Sequence, residues 1–460
     1  MPSLAPRALP RSAPQAKGVA AKDVLAFLDR LEAEHVELHS LMLLRHGHVL
    51  AEGWWDPYHR DGLQLVYSLS KSVTSTAVGF AAAEGRLSLD APVASFLDAD
   101  ATAAGERARR ITVRHLLTMS SGHRVDTLPL MVARPDESTV SVFLSVEPQE
   151  EPGHHFLYHN GATATLAAIV QTLVGARLTD YLRPRLFDPI GIGAVAWQQT
   201  PAGQDLGFSG LHLTTEAIAR FGQLYLADGR WGGQQVLPPG WVAEATRYHV
   251  DNAPAADSTR PDWGQGYGYQ FWRGRHGSYR GDGAYGQFCL VLPEFDAVLA
   301  ITASTERMQA VLDAVWQHLI PGSGAARFGP AASPAAPGAD ELRRRLLGLA
   351  LAPVKGARSP RNGRITAITA DLSTPALALP GLTRVRLEPT DTGWVIGLDD
   401  AGESFDLGCG YGRWTSHTLS AADGRNLPVR TSGAWTGPGE FTARITAIET
   451  PHQLILTFQP

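Results

Sequence analysis

Between Lys22 and Val36 the apolar residues Val24, Leu25, Phe27, Leu28 and Leu31 recur at helical spacing, which predicts an amphipathic helix. The segments LHSLMLL and VLAEGWW then flank Arg45-His46-Gly47-His48, the pattern of an antiparallel hairpin with a glycine at its turn. SLSKSVTSTAVGFAAAEG follows. Its small residues predict a helix that neighbours can approach on several sides, with Gly85 as its C-terminal stop. From about 88 to 200, short helical patterns alternate with proline-rich loops. GLHLTTEAIARFGQLYLADGRWGG predicts a further helix, capped by Thr214 or Thr215 and carrying Glu216 in its first turn. Strands are expected at GYGYQFW, FCLVL and AVLAITA, and a helix over Glu306–His318. Strands therefore open and close this unit, with mostly helical material inserted between them.

Past residue 320 the pattern changes. Residues 321–338, PGSGAARFGPAASPAAPG, read as a linker. After a short basic helix (ELRRRLLGLA), the segments RITAITADL, TRVRLEP, GWVIGLD, ESFDLG, FTARITAIE and QLILTF alternate every second residue. That period predicts an all-β meander or small barrel over 339–460. The expected organisation is a disordered leader at 1–20, an α/β unit at 21–320 with a helical insertion at about 88–200, the linker, and the β-domain. In the α/β unit an antiparallel sheet is flanked by helices.

A hydrophobic content of 44% and a net charge of −5 describe an ordinary globular protein with no basic surface for nucleic acid. The two cysteines, Cys289 and Cys409, lie far apart and have no metal-ligand spacing, which suits a reducing compartment. The first twenty residues lack the apolar core of a secretory signal, and no stretch reaches the roughly 20 apolar residues of a membrane span. A cytoplasmic location with no membrane partner is expected.

The chemistry begins at VYSLSKS. Lys17, Lys22, Lys71 and Lys355 are the only lysines among 40 basic residues, so arginine has not replaced Lys71. Unlike arginine, a desolvated lysine can give up its proton and act as a base. If a helix starts near Tyr67, Ser68 and Lys71 share a face, while Ser70 and Ser72 point elsewhere. A Ser-x-x-Lys pair on a first helical turn suits nucleophilic catalysis, because the helix N-terminus also offers free N–H groups to an oxyanion. Taken alone, the pattern more often marks a capped helix with a surface lysine than a catalytic pair. In PGHHFLYHN, Tyr158 and Asn160 lie two apart and would project to one side of an extended loop. A lysine ammonium nearby would depress the tyrosine pKa and let it shuttle protons, while the asparagine amide would bond lysine and substrate. At Arg280-Gly281-Asp282-Gly283-Ala284 the glycines would let a strand edge approach a ligand and supply a second oxyanion donor. Trp54, Trp55, Tyr267 and Trp272 are candidates for an acyl pocket or for ordinary core. Glu151, His154, His155 and His159 are a weaker, metal-binding alternative, since no His-Glu-x-x-His is present.

Taken together and in this order, these blocks resemble the β-lactamase-related serine hydrolases, the class C-like branch that includes penicillin-binding-protein-like esterases and D-amino-acid peptidases. The similarity covers about Leu38–Pro321. It also includes ITVRHLLTMSSG and GQFCLVLPE. The resemblance implies a β-lactamase/transpeptidase-like fold with its site in the cleft between sheet and helices. It implies Ser68 as nucleophile, Lys71 as its base partner, Tyr158 as base for the attacking water and Asn160 as a positioning group. The backbone N–H groups of Ser68 and Ala284 would form the oxyanion hole, with no metal and no cofactor. One departure matters. Gly281-Asp282-Gly283 stands where β-lactamases carry Lys-Thr-Gly, whose lysine helps hold a substrate carboxylate. This favours a small ester or amide over efficient β-lactam turnover, with Arg280 as a substitute cation if its side chain faces the cleft. D-amino-acid amidase or peptidase activity, weak β-lactamase activity, and a non-catalytic binding module on the same fold are the alternatives. His159 replaces the usual small residue of Tyr-x-Asn and should point away from the site.

Overall fold

The computed structural model of the protein describes residues 8–96, 104–253, 259–320, 338–358, 368–371, 381–390, 393–400, 402–420 and 426–459. The chain divides into two units, one of residues 1–53 and 65–347, the other of residues 54–64 and 348–460. The linker expected at 321–338 lies almost wholly outside the described residues.

The first unit is built on a six-stranded sheet. Its strands are β1 (Glu37–Arg45), β2 (His48–Trp54), β3 (Trp272–Arg273), β4 (Tyr279–Gly283), β5 (Gln287–Leu292) and β6 (Ala297–Ser304). The order across the sheet is β2-β1-β6-β5-β4-β3, with β1 on β6, β6 on β5, β5 on β4 and β4 on β3 all antiparallel. The centre is apolar on both faces: β5 and β6 are buried almost throughout, and Leu290 sits opposite Leu299. Such strands need cover on both sides. Helix α1 (Ala21–Ala33) packs with helix α5 (Met308–His318), and helix α4 (Thr215–Leu226) lies against β1, β5 and β6. A methyl group on Gly222 of α4 would come within 2.6 Å of Val298, so only glycine permits that approach. Helices α2 (Ser70–Ala83) and α3 (Asn160–Val174) pack together in the inserted material. As its small residues imply, α2 is buried from Ser70 to Ala81. Thr214 caps α4 by accepting from the Ala217 N–H at 3.1 Å.

Three expectations are corrected. The leader is not free over 8–20: the Ser12 N–H donates to the Val49 carbonyl, the Val49 N–H to Pro10, and Arg11 pairs with Glu52 and Glu216. GYGYQFW enters the sheet only at Trp272. Its backbone is spent on the helices instead, the carbonyls of Tyr269 and Gln270 accepting from Ser75 and Ser72 at 2.7 Å each. The basic helix α6 (Ala339–Leu347) belongs to the first unit, where it contacts α1, buries Leu342 and pairs Arg345 with Glu32.

Among its described residues the second unit has two four-stranded antiparallel sheets, each in sequence order: β7 (Ile368–Asp371) to β10, and β11 to β14. The strands between are β8 (Leu382–Pro389), β9 (Trp394–Asp400), β10 (Glu403–Cys409), β11 (Thr415–Ser420), β12 (Asn426–Gly437), β13 (Glu440–Ala447) and β14 (Gln453–Phe458). Their inward residues, among them Leu387, Ile396, Trp435 and Phe441, form one apolar core. Residues 54–64 belong here because Asp56 bonds Leu349 and Leu351 through the backbone, while Trp55 and Tyr58 pack around Leu351 and Ile448. Among the described residues no single helix is long and apolar enough to cross a membrane.

Candidate active site

Residues 67–69 form a tight helical turn that runs straight into α2. Tyr67 enters it with φ +49°, a left-handed backbone that is costly for an aromatic residue and is held by its surroundings. The turn sorts the three serines. Lys71 Nζ donates to Ser68 Oγ at 2.8 Å and to the Phe208 carbonyl at 2.8 Å. Ser70 Oγ donates to the Tyr67 carbonyl at 2.5 Å and accepts from the Leu211 N–H at 3.2 Å. Ser72 Oγ donates to Gln270. Only Ser68 therefore meets the lysine. Lys71 is 1% exposed, and burial lowers its pKa to about 7 against the opposing pull of Asp126 and Asp282. An amine so placed is partly unprotonated at neutral pH and can accept the serine proton.

Tyr158 lies on an extended segment anchored to Met119, whose carbonyl accepts the Leu157 N–H at 2.9 Å. Its ring stacks on Trp272 at 5.1 Å and lies 4.9 Å from Lys71 Nζ, and its hydroxyl hydrogen-bonds Ser68. The depressed tyrosine pKa expected from a neighbouring ammonium does not hold. Loss of water around the hydroxyl pushes the pKa up, and the Asp282 charge adds to that shift. At neutral pH Tyr158 is thus a phenol, able to donate a proton, and Lys71 is the group poised to take one.

Asn160 opens α3, and its role differs from the expectation. Its amide donates to Asp126 Oδ2 at 2.8 Å rather than bonding the lysine. Asp126 also accepts the backbone N–H groups of Asn160 at 3.1 Å, Gly161 at 2.9 Å and Leu128 at 3.0 Å. Burial opposes its ionisation, but the Gly161 and Leu128 N–H groups hold the carboxyl below the usual range. Asp126 thereby fixes the start of α3 beside the site and supplies a negative potential to Lys71. Sequence reasoning missed it. The available signal was an acid two residues before the apolar run LPLMVA, where an Asx turn would start a helix. His159 is fully buried and turned away from the serine. It accepts from the Thr127 N–H at 2.9 Å and contacts Ser121 at 3.3 Å, and burial lowers its pKa to about 4.

The glycines of β4 serve a different approach from the one expected. A methyl group on Gly283 would lie 2.1 Å from the Val66 carbonyl, and one on Gly281 would lie 2.4 Å from Leu69 and 2.6 Å from Ser72. They let the strand press against the nucleophile turn itself. Tyr285 follows with φ +63°, its ring 5.5 Å from that of Tyr67. Ser68, Tyr158, Trp272, Asp282 and Ala284 line one cavity of about 650 Å³, whose wall also includes Arg260 and Glu306. Arg280 does not face it. The guanidinium is fully buried, with Nε donating to Asp282 at 2.9 Å.

Of the four aromatics singled out, Trp272 lines the cavity, Tyr267 is core behind Tyr158, and Trp54 and Trp55 belong to the second unit. The acid and histidines of the metal-binding alternative do not converge: Glu151 pairs with Arg107 and Arg110, while His159 is buried elsewhere.

A family model described as Beta-lactamase matches residues 28–320. Penicillin-binding protein 4 of Amycolatopsis lactamdurans is 29% identical over 273 residues, 51% of this chain and 70% of that protein. The 6-aminohexanoate-dimer hydrolase of Paenarthrobacter ureafaciens is 25% identical over 284 residues, 58% of this chain and 72% of that one. Among solved structures, the octameric penicillin-binding protein homologue from Pyrococcus abyssi has the same fold at 14% identity. Its TM-score is 0.51, with 95% of this chain and 99% of that chain covered.

Proposed function

Because this chain belongs to the beta-lactamase family, we propose that it is a serine hydrolase that forms an acyl-enzyme on Ser68 and hydrolyses a small ester or amide. The observation that carries this reading is the 2.8 Å contact between Ser68 Oγ and a fully buried Lys71 whose pKa is lowered to about 7. Lys71 takes the Ser68 proton as Oγ attacks the substrate carbonyl carbon. The oxyanion is received by the backbone N–H groups of Ser68 and Ala284, both on the cavity wall. As the tetrahedral intermediate collapses, the bond to the leaving group breaks and that group takes a proton from the Tyr158 phenol, which recovers it from Lys71. Water then attacks the acyl carbon, giving its proton through the same pair, and Ser68 leaves protonated. Asn160, held by Asp126, and the Trp272 ring stacked on Tyr158 keep these groups in place.

Hydrolysis of p-nitrophenyl acetate and butyrate by the wild type and Ser68→Ala tests the reading. Loss of turnover by at least about 1,000-fold in Ser68→Ala is expected. A variant as active as the wild type would place the nucleophile elsewhere. D-aminoacyl amides and the 6-aminohexanoate dimer named for the P. ureafaciens relative are the amide substrates to assay beside them.

A further inference from the structure

The cavity that contains Ser68 has a charged feature that the hydrolytic steps above do not use. Arg280 and Asp282 lie two apart on β4 and form a nearly dry ion pair, Arg280 at 0% and Asp282 at 6% side-chain exposure. Arg280 Nε donates to Asp282 Oδ2 at 2.9 Å, Nη1 donates to the Asp262 carbonyl at 3.0 Å, and the guanidinium lies 4.5 Å over the Trp263 ring. Nη2 is buried with no hydrogen-bond partner among the described residues. The member of the pair on the cavity wall is the carboxylate; the guanidinium is not among the lining groups. An arginine fork binds a carboxylate through two parallel N–H groups, and here one intramolecular carboxylate already occupies it incompletely.

We infer that Asp282 stands in for a substrate carboxylate, masking Arg280 and restricting the Ser68 cleft to substrates that carry no carboxylate near the scissile bond. The inference rests on the hydrolase reading and narrows its substrate class. An incoming carboxylate would meet Asp282, a like charge in a poorly hydrated wall, before it could reach any N–H of Arg280. The remaining charges do not offset this. Lys71 is buried and already donates to Ser68 and Phe208. At the rim, exposed Arg260 lies 4.3 Å over Trp263, and exposed Glu306 opposes it in sign. The indole of Trp272 is bonded to Asp282 and adds no charge.

The test uses the full chain and two acetate esters that differ in one charge, those of 3-hydroxybenzoate and of methyl 3-hydroxybenzoate. The wild type should favour the uncharged ester by at least about tenfold in kcat/KM, and Asp282→Asn should shrink that preference about tenfold or reverse it. Binding of 3-hydroxybenzoate itself, read by calorimetry, needs no turnover. Asp282→Asn should bind it at least about tenfold more tightly than the wild type and than the charge-free double variant Arg280→Met/Asp282→Asn. Equal affinity in all three overturns the inference. Should Asp282→Asn not fold, with Arg280 left buried and unpaired, the wild-type ratio decides alone, and a ratio within threefold of one overturns the inference. If neither ester is turned over in a Ser68-dependent way, the hydrolase reading fails instead, and the calorimetry still judges the masking.

Discussion

Gly283 faces the Val66 carbonyl so closely that a side-chain carbon there would lie 2.1 Å from the oxygen. The edge of the sheet and the turn that presents Ser68 are therefore in backbone contact, and this contact sets the spacing between Ser68 and Ala284. Gly283→Ala must push the two apart, because the obstructing atom is backbone and cannot rotate away. A misplacement of about 1 Å at a reacting centre costs on the order of 100-fold in rate. We expect a loss of that size in kcat/KM for p-nitrophenyl butyrate, with a fall in Tm. Gly283→Ala activity within threefold of wild type would mean that the strand edge plays no part in placing the oxyanion donors.

The pKa of Lys71 gives the reaction a direction in pH. The base is the unprotonated amine, so kcat/KM should rise with pH through an apparent pKa near 7. Lys71→Arg, which cannot deprotonate, should be inactive across the range. Stability follows the same group. The folded pKa lies below the ordinary lysine value of 10.5, so between about 7 and 10.5 the unfolded chain binds more protons and wild-type stability gains with rising pH. Below about 7 the cost of the buried ammonium is fully present. Lys71→Met lacks this titration, so its stability relative to wild type should decline from pH 7 to pH 10, as read by urea unfolding. A difference independent of pH would show that Lys71 titrates normally.

Asp126 acts through Lys71 and Asn160 rather than on substrate. Asp126→Ala leaves the N–H groups of Asn160, Gly161 and Leu128 without their acceptor at the start of α3. These donors are part-buried, so each left unmet costs less than the about 1–3 kcal/mol of a fully buried one, but three lost together still predict a drop in Tm. A stability loss alone would fit any structural residue. The distinguishing readout is the pH profile, since Asp126 raises the Lys71 pKa and its removal should move the rising limb to lower pH. Asp126→Glu should restore part of the profile.

Much of this architecture is legible in the sequence because its causes are local. The hairpin at 37–54, the buried small-residue helix α2 and the Thr214 cap of α4 each follow from spacing or from one residue type at one position. Ser68 and Lys71 are legible for the same reason, since a single helical turn brings them together. What could not be read depends on partners distant in sequence. GYGYQFW has strand composition, yet Ser72, Ser75 and Leu117 claim its backbone. Asn160 and Asp126 are 34 residues apart, and the Phe208 carbonyl that holds Lys71 belongs to a residue whose side-chain type carries no signal for that role. The raised pKa of Tyr158 is not legible in the motif, because proximity to a cation shows in sequence whereas desolvation is a property of the packed fold.

Ser70 is the neighbour that a simple serine scan would confuse with the nucleophile. It is fully buried, and its hydroxyl joins the Tyr67 carbonyl to the Leu211 N–H, tying the strained turn to the chain beyond Gly210. Ser70→Ala leaves the Leu211 N–H without its acceptor and the Tyr67 carbonyl with only the residue-70 backbone N–H, which loosens the turn held at φ +49°, so it should lower both stability and rate. Loss of activity on its own therefore does not identify a catalytic serine here. Covalent labelling does. A fluorophosphonate should modify the wild type at Ser68, fail with Ser68→Ala although that variant keeps its Tm, and still modify Ser70→Ala at Ser68, more slowly. Peptide mass mapping reads the three cases directly, and a label found on residue 70 in Ser68→Ala would reverse the assignment of the two serines.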